Sequence, residues 1–151
     1  MCSIRIWVLN ALLLVGFVTP SFTQNLKQAN EIAQKLSIET DHARRANLLL
    51  KLSEAQGVGQ IESALEHASR ALTIFQNIDD KTGEIKAYTT LGKLELVIGN
   101  APVARSYFNR GFTIGVDMDS LDVMVRTKLL LGKTYINGAN QSIGIMYLQE
   151  A

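Results

Sequence analysis

The sequence predicts an all-α fold, a solenoid of stacked antiparallel helix pairs, and three observations lead there. The chain matches itself at a shift of 40 residues: Leu91-Gly92-Lys93 falls on Leu131-Gly132-Lys133, Ile85-Lys86 on Val125-Arg126, and Arg70, Thr73 and Ile74 on Arg110, Thr113 and Ile114. Within a copy, apolar residues recur closer to helical than to alternating spacing, as at Ile85, Tyr88, Leu91, Leu94, Leu96 and Ile98. Only two prolines occur, at 20 and 102, so little interrupts a helix. Self-similarity at such a period marks a stack of supersecondary units, each of which buries its apolar face only against its neighbours.

Composition sets the outer bounds. A chain of 151 residues that is 47% hydrophobic has one domain's length and material for a core. Fifteen basic against 14 acidic residues speak against a strongly basic nucleic-acid binder. One cysteine excludes a disulfide framework and a multi-cysteine metal site, and two histidines leave little for a histidine-rich one.

The first element, residues 1–23, reads as a secretory signal peptide. Arg5 precedes an apolar run from Ile6 to Val18 that only Asn10 and Gly16 interrupt, and Pro20, Ser21 and Thr23 follow. As a helix the run spans about 20 Å, short of the roughly 30 Å hydrocarbon core. Cleavage is expected near Thr23/Gln24, with an uncleaved N-terminal anchor as the alternative. Cleavage removes Cys2 and Arg5, leaving 14 basic and 14 acidic residues and no net charge to steer a partner from afar. The mature chain is expected outside the cytoplasm, in the periplasm or cell envelope if the source is bacterial.

Residues 24–42 are expected to hold a helix with Leu26, Ala29, Ile32, Ala33 and Leu36 as its stripe and Thr40 capping the next helix. It is either a capping helix or a half-repeat, and the cap reading suits a solenoid, whose ends need cover. Residues 43–151 are the repeat domain, with units at about 46–84, 85–124 and 125–151, the last incomplete. The earliest copy needs a one-residue adjustment that sets Leu52-Ser53 opposite Leu91-Gly92. In unit two the first helix runs from about Ile85 to Ile98 and ends at Gly99-Asn100; Ala101-Pro102 starts the second, with proline in the first turn. Small residues at Ala104 and Gly111 let two helices approach, and the aromatics Phe108 and Phe112 fill the space beside them. Thr82 and Asp122, one period apart, are the expected N-caps.

This spacing resembles the tetratricopeptide repeat over roughly residues 46–151. Unit two carries the Leu-Gly pair Leu91-Gly92, the turn Gly99-Asn100, and Ala104, Phe108 and Gly111 at the small, aromatic and small positions. Unit three matches at Leu131-Gly132, Tyr135, Gly144, Leu148 and Ala151, and unit one at Leu52-Ser53, Gly59-Gln60, Ala64, Ala68 and Ala71. The first-helix aromatic anchor and the unit-ending proline are missing, and 40 residues exceed the usual period of about 34. The resemblance implies a right-handed α-solenoid whose first helices line a concave surface that takes extended peptides or partner helices. Positions two and nine of those helices commonly face the groove; here they are Asn47 and Glu54, Lys86 and Lys93, and Arg126 and Lys133, with Thr89, Thr90 and Lys128 nearby. Lys86, Thr89, Lys93, Arg126 and Lys133 are therefore the candidate site for a protein or extended acidic peptide. An ordinary solvated face rich in lysine is the competing account, and units two and three lack the asparagine of the family's carboxylate clamps.

Signs of chemistry are sparse. Gly132-Lys133-Thr134 resembles the end of a phosphate loop, but position 127 is Thr where that loop needs Gly, and the segment reads as helix. No Gly-x-Ser-x-Gly elbow is present. His42 and His67 have no ligand-type neighbour at coordinating spacing, Glu62 and Glu66 read as a solvated acidic pair, and Asn140-Gln141-Ser142 fits a glycosylation acceptor. The expectation is an exported, non-catalytic scaffold without cofactor or nucleic acid. It would meet a membrane only through an uncleaved N-terminus or a further C-terminal part. The alternative is the sensory front of a longer membrane-bound kinase, cyclase or transcription regulator. Ile143, Met146, Tyr147 and Leu148 would lack a following helix, which implies a continuing chain or a dimer through that end.

Overall fold

The computed structural model describes residues 20–136 and 141–149. Of the expected signal peptide, residues 1–19 lie outside them, as do Asn140 and Ala151, while residues 20–23 are described and stand in the first helix. The described residues form seven α-helices and no strand: α1 Pro20–Ile38, α2 His42–Gln56, α3 Ile61–Asn77, α4 Lys81–Val97, α5 Ala101–Asp117, α6 Leu121–Ile136 and α7 Gln141–Gln149, with a 3₁₀ turn Gly57–Gln60 between α2 and α3. Each helix packs on its sequence neighbour, and α2 also touches α4. Short turns force neighbours antiparallel. The pairs α2–α3, α4–α5 and α6–α7 therefore stack into an α-solenoid, with α1 laid against α2.

The architecture has a finer cadence than the 40-residue self-match. Helices α3, α4 and α5 are each 17 residues long and start 20 apart, at Ile61, Lys81 and Ala101. Each ends in the same turn. Asp79, Gly99 and Asp119 take left-handed φ of 55°, 81° and 50°. The amides of Asp80, Asn100 and Ser120 then donate back to the carbonyls of Phe75, Glu95 and Gly115 at 2.9, 2.8 and 2.9 Å. This is the six-to-one closure that satisfies a helix's last carbonyls. The connection in the first pair differs: Gly57, at φ 43°, opens the 3₁₀ turn. Since α2 starts at His42 and α4 at Lys81, while α3 starts at Ile61 and α5 at Ala101, the one-residue adjustment of the first copy lies between α2 and α3.

Three expected caps are corrected. Asp41, not Thr40, caps α2, its Oδ1 accepting from the Arg44 amide at 2.8 Å. Asp80, not Thr82, caps α4, accepting from the Gly83 amide at 2.9 Å. A carboxylate there also meets the positive end of the helix dipole, which a hydroxyl does not exploit. Asp122 lies inside the first turn of α6, which starts at Leu121. Consequently α4 starts a turn ahead of Ile85, and α1 ends at Ile38. Beside the Asp80 cap, Lys81 Nζ lies 2.8 Å from Glu84 Oε1 and 2.9 Å from Asp79 Oδ1. The buried Glu84 carboxylate, then Asp79, raises the Lys81 pKa above that of an ordinary lysine.

Small residues set how closely the layers approach. Ala64, Ala68 and Ala71 of α3 are fully buried among Ala46, Leu49, Ala87 and Leu91, with Phe75 closing the cluster. A second cluster holds Ala104, Phe108 and Leu131. Where unit two has Gly92, unit one has Ser53, whose hydroxyl donates to the Ala64 carbonyl at 2.8 Å and so is buried with its polar group satisfied. A Cβ on Gly92 would run into the Phe108 ring, and one on Gly83 into the Phe75 ring. One period on, the second contact recurs with its sizes exchanged: a Cβ on Gly115 would meet Val123 Cγ1 at 2.7 Å.

The two ends are covered unequally. In α1, Ile32 is buried and Leu36 packs on the core, while Leu26 and Ala33 of the expected stripe stay exposed. At the other end Tyr147 turns back onto α6, its ring stacked on Tyr135 at 5.6 Å and 5°, with the Arg105 guanidinium 4.8 Å from the Tyr135 centroid. Tyr147 is half-buried in that stack, whereas Met146 is half exposed. Gly144 permits this closeness, since a Cβ there would sit 3.0 Å from the Gly132 carbonyl.

Candidate functional site

The first helix of each pair contributes one wall to a cavity of about 820 Å³ lined by α2, α4 and α6. Lys86, Thr89, Lys93, Arg126 and Lys133 all line it, as do Asn47, Glu54 and Thr90. Their placement follows from helix geometry. Asn47, Lys86 and Arg126 stand at the same height on their helices, and Glu54, Lys93 and Lys133 stand seven residues further on, about 10 Å along the axis. Between the two rows lie Leu50 and Lys51 of α2, Thr89 and Thr90 of α4, and Leu129 and Leu130 of α6. Leu50, Thr90 and Thr127 are buried, so the floor is apolar and hydroxyl-bearing while the charges stand at the sides.

The charge is one-sided. Lys51, Lys86, Lys93, Arg126 and Lys133 face Glu54 and Asp122. Arg126 Nε pairs with Asp122 Oδ1 at 2.8 Å, an exposed i, i+4 contact worth a few tenths of a kcal/mol. Among the described residues Lys51, Lys86, Lys93 and Lys133 form no ion pair. Their charges are therefore open to an anionic group from outside. The Asn47 amide is already engaged, its Nδ2 donating to the Ala43 carbonyl at 2.8 Å. The Thr127 hydroxyl donates to the carbonyl of Val123 at 2.7 Å.

Several lining residues were not singled out from the sequence. Lys51 and Leu50 lie one turn from Asn47 and Glu54, so helical spacing alone could have added them. Asp122, one period from Thr82, has the look of a cap in the sequence, yet its position four residues before Arg126 is that of an intrahelical ion pair. Met118 comes from the α5–α6 turn, at the apolar position that Ile78 and Ile98 hold in the two preceding turns. Lys128 does not line the cavity; its Nζ lies 6.0 Å from the centre of the Phe112 ring.

The remaining candidates for chemistry fall elsewhere. Gly132-Lys133-Thr134 lies within α6, and the Thr134 hydroxyl donates to the Leu131 carbonyl at 2.7 Å, so these residues form no phosphate-cradling loop. His67 Nδ1 bonds Gln56 Oε1 at 2.8 Å, Glu66 pairs with Arg70 at 3.8 Å, and Glu62 is exposed. Among the described residues no three His, Cys, Asp or Glu side chains gather to hold a metal ion, and no helix is long and apolar enough to cross a membrane. No protein-family model matches the chain, and no curated protein matches it.

Proposed function

We propose that this protein is an exported, non-catalytic scaffold of the tetratricopeptide type that binds an acidic protein segment in the groove of α2, α4 and α6. One observation carries the reading. Three successive units of a nearly neutral chain place five cations around a single apolar-floored groove, and among the described residues four of those cations have no carboxylate of their own. Lysines kept only for solubility have no reason to stand at repeating heights around one concavity. Export is supported by the apolar leader behind Arg5, and the scaffold type by the repeat pattern, both features of the residues themselves.

The test is titration of the protein with a labelled Glu-rich peptide, followed by fluorescence anisotropy. Reversing Lys86→Glu together with Lys133→Glu is expected to weaken binding about tenfold or more, as loss of two attractions and gain of two repulsions totals at least about 1.4 kcal/mol. Helicity by circular dichroism should stay unchanged, since both side chains are exposed. Reversing Lys27 and Arg70, which lie off the groove, should leave affinity as it was. An affinity untouched by the groove reversal overturns the proposal.

A further inference from the structure

We infer that the occupant of this groove is an amphipathic helix carrying acidic residues on both flanks of its apolar stripe, a refinement that rests on the acidic-segment reading above. The spacing of the cations is the first reason. Lys86 with Arg126 forms one row and Lys93 with Lys133 the other, about 10 Å apart along α4 and α6. A helix is about 10–12 Å across with its side chains, so one lying over the floor reaches a row with each flank. An extended segment fills that width only when its alternate side chains point at the two rows, which turns its amides and carbonyls toward the apolar floor.

Hydrogen bonding is the second reason. An extended segment brings unpaired amides and carbonyls that need partners once they leave water. Asn47 supplies the only side-chain amide among the lining residues, with one donor already on the Ala43 carbonyl, and Thr82, Thr89, Thr90 and Ser120 add single hydroxyls, fewer partners than the amide and carbonyl that every residue of an extended backbone presents. The lining helices bond their own backbones internally. A helical occupant arrives with its backbone bonds already made and asks only for apolar contact, which Leu50, Leu129 and Leu130 provide between the rows. The asymmetry of the groove also orients the occupant. At the heights where α4 and α6 carry cations, α2 carries Asn47 and Glu54, so the ligand's acidic stretch belongs over α4 and α6, with a neutral or basic end over α2.

Three labelled peptides of roughly 18 residues, about 27 Å as helices, test this on the full chain. One has a leucine stripe flanked by glutamates and is held helical by lactam bridges. The second has the same composition but carries prolines at its centre, and the third is the helical peptide with lysine in place of glutamate. The acidic helix is expected to bind at least about tenfold tighter than the proline peptide, the lysine helix not to bind, and Lys86→Glu with Arg126→Glu or Lys93→Glu with Lys133→Glu each to weaken the acidic helix. A proline peptide that binds as tightly or more tightly overturns the helical occupant and leaves the acidic-segment reading standing. If neither acidic peptide binds in a way that groove reversal changes, both readings fail together.

Discussion

Replacing Gly92 by Ala should be harmful in the native chain and helpful once Phe108 is gone. Gly92 lies on α4, the helix that carries Lys86 and Lys93, and the Phe108 ring of α5 fills the space a side chain would take. A Cβ at Gly92 would stand 2.8 Å from Phe108 Cζ, closer than carbons tolerate. The ring is fully buried in a cluster with Ala104 and Leu131, so it has little room to retreat. Overpacking of this kind costs about 1–3 kcal/mol, against roughly 1 kcal/mol that alanine gains over glycine in a helix. Gly92→Ala alone should therefore destabilise by up to about 2 kcal/mol. Phe108→Ala alone should cost about 3–5 kcal/mol. In the Phe108→Ala background the collision is absent, and Gly92→Ala should restore about 1 kcal/mol. The sign of one substitution thus reverses with its neighbour, a coupling of about 1–3 kcal/mol. Urea unfolding followed by far-UV circular dichroism measures it, with the slopes compared, because a solenoid can lose an end before its middle. Additivity within about 0.5 kcal/mol would show that this contact does not set the spacing of α4 and α5.

The other expectations are independent of that contact. Asp119→Gly relieves a left-handed φ of 50° and should raise thermal stability by about 0.5 kcal/mol; Asp79→Gly should gain less, because it also removes the 2.9 Å pair with Lys81, and equal gains would contradict the account. Asp122→Asn frees Arg126 and removes a negative charge from the groove, so the acidic helical peptide should bind about two- to threefold tighter by anisotropy; unchanged or weaker binding contradicts it. Tyr147→Ala removes the stack on Tyr135, worth about 0.5–1.5 kcal/mol beyond its area. Amide hydrogen exchange should then quicken severalfold in α7 while α2 to α4 keep their protection, and uniform quickening would show that the end is not a separable layer.

The helical stack and much of the candidate groove were legible because both rest on translation by a fixed number of residues. Lys86 and Lys93 share a face by helix geometry, and Arg126 and Lys133 repeat that face one unit later. The caps were harder to read. Thr40 beside Asp41, and Asp80 two residues before Thr82, offer rival side chains within a turn, and only the backbone path shows which one reaches an amide. The pairing of Phe75 with Gly83 was hidden for a different reason. Comparing the chain with itself rewards identity, whereas here Phe75 aligns with Gly115 and Gly83 with Val123. Two mismatches one period from a matched pair were the available clue, and each looks like decay of the repeat until the helices are seen to face one another.

By itself the sequence determined that this chain is helical, that its units recur every 40 residues, and which side of the first helices of units two and three carries the cations. Those properties depend on rise and periodicity, which every helix shares. Only the tertiary structure decided that α2, α4 and α6 enclose one groove and that large and small residues trade places between layers. These depend on how deeply one helix sinks into the next, a distance set by pairs of side chains far apart in the chain, and no local pattern records it.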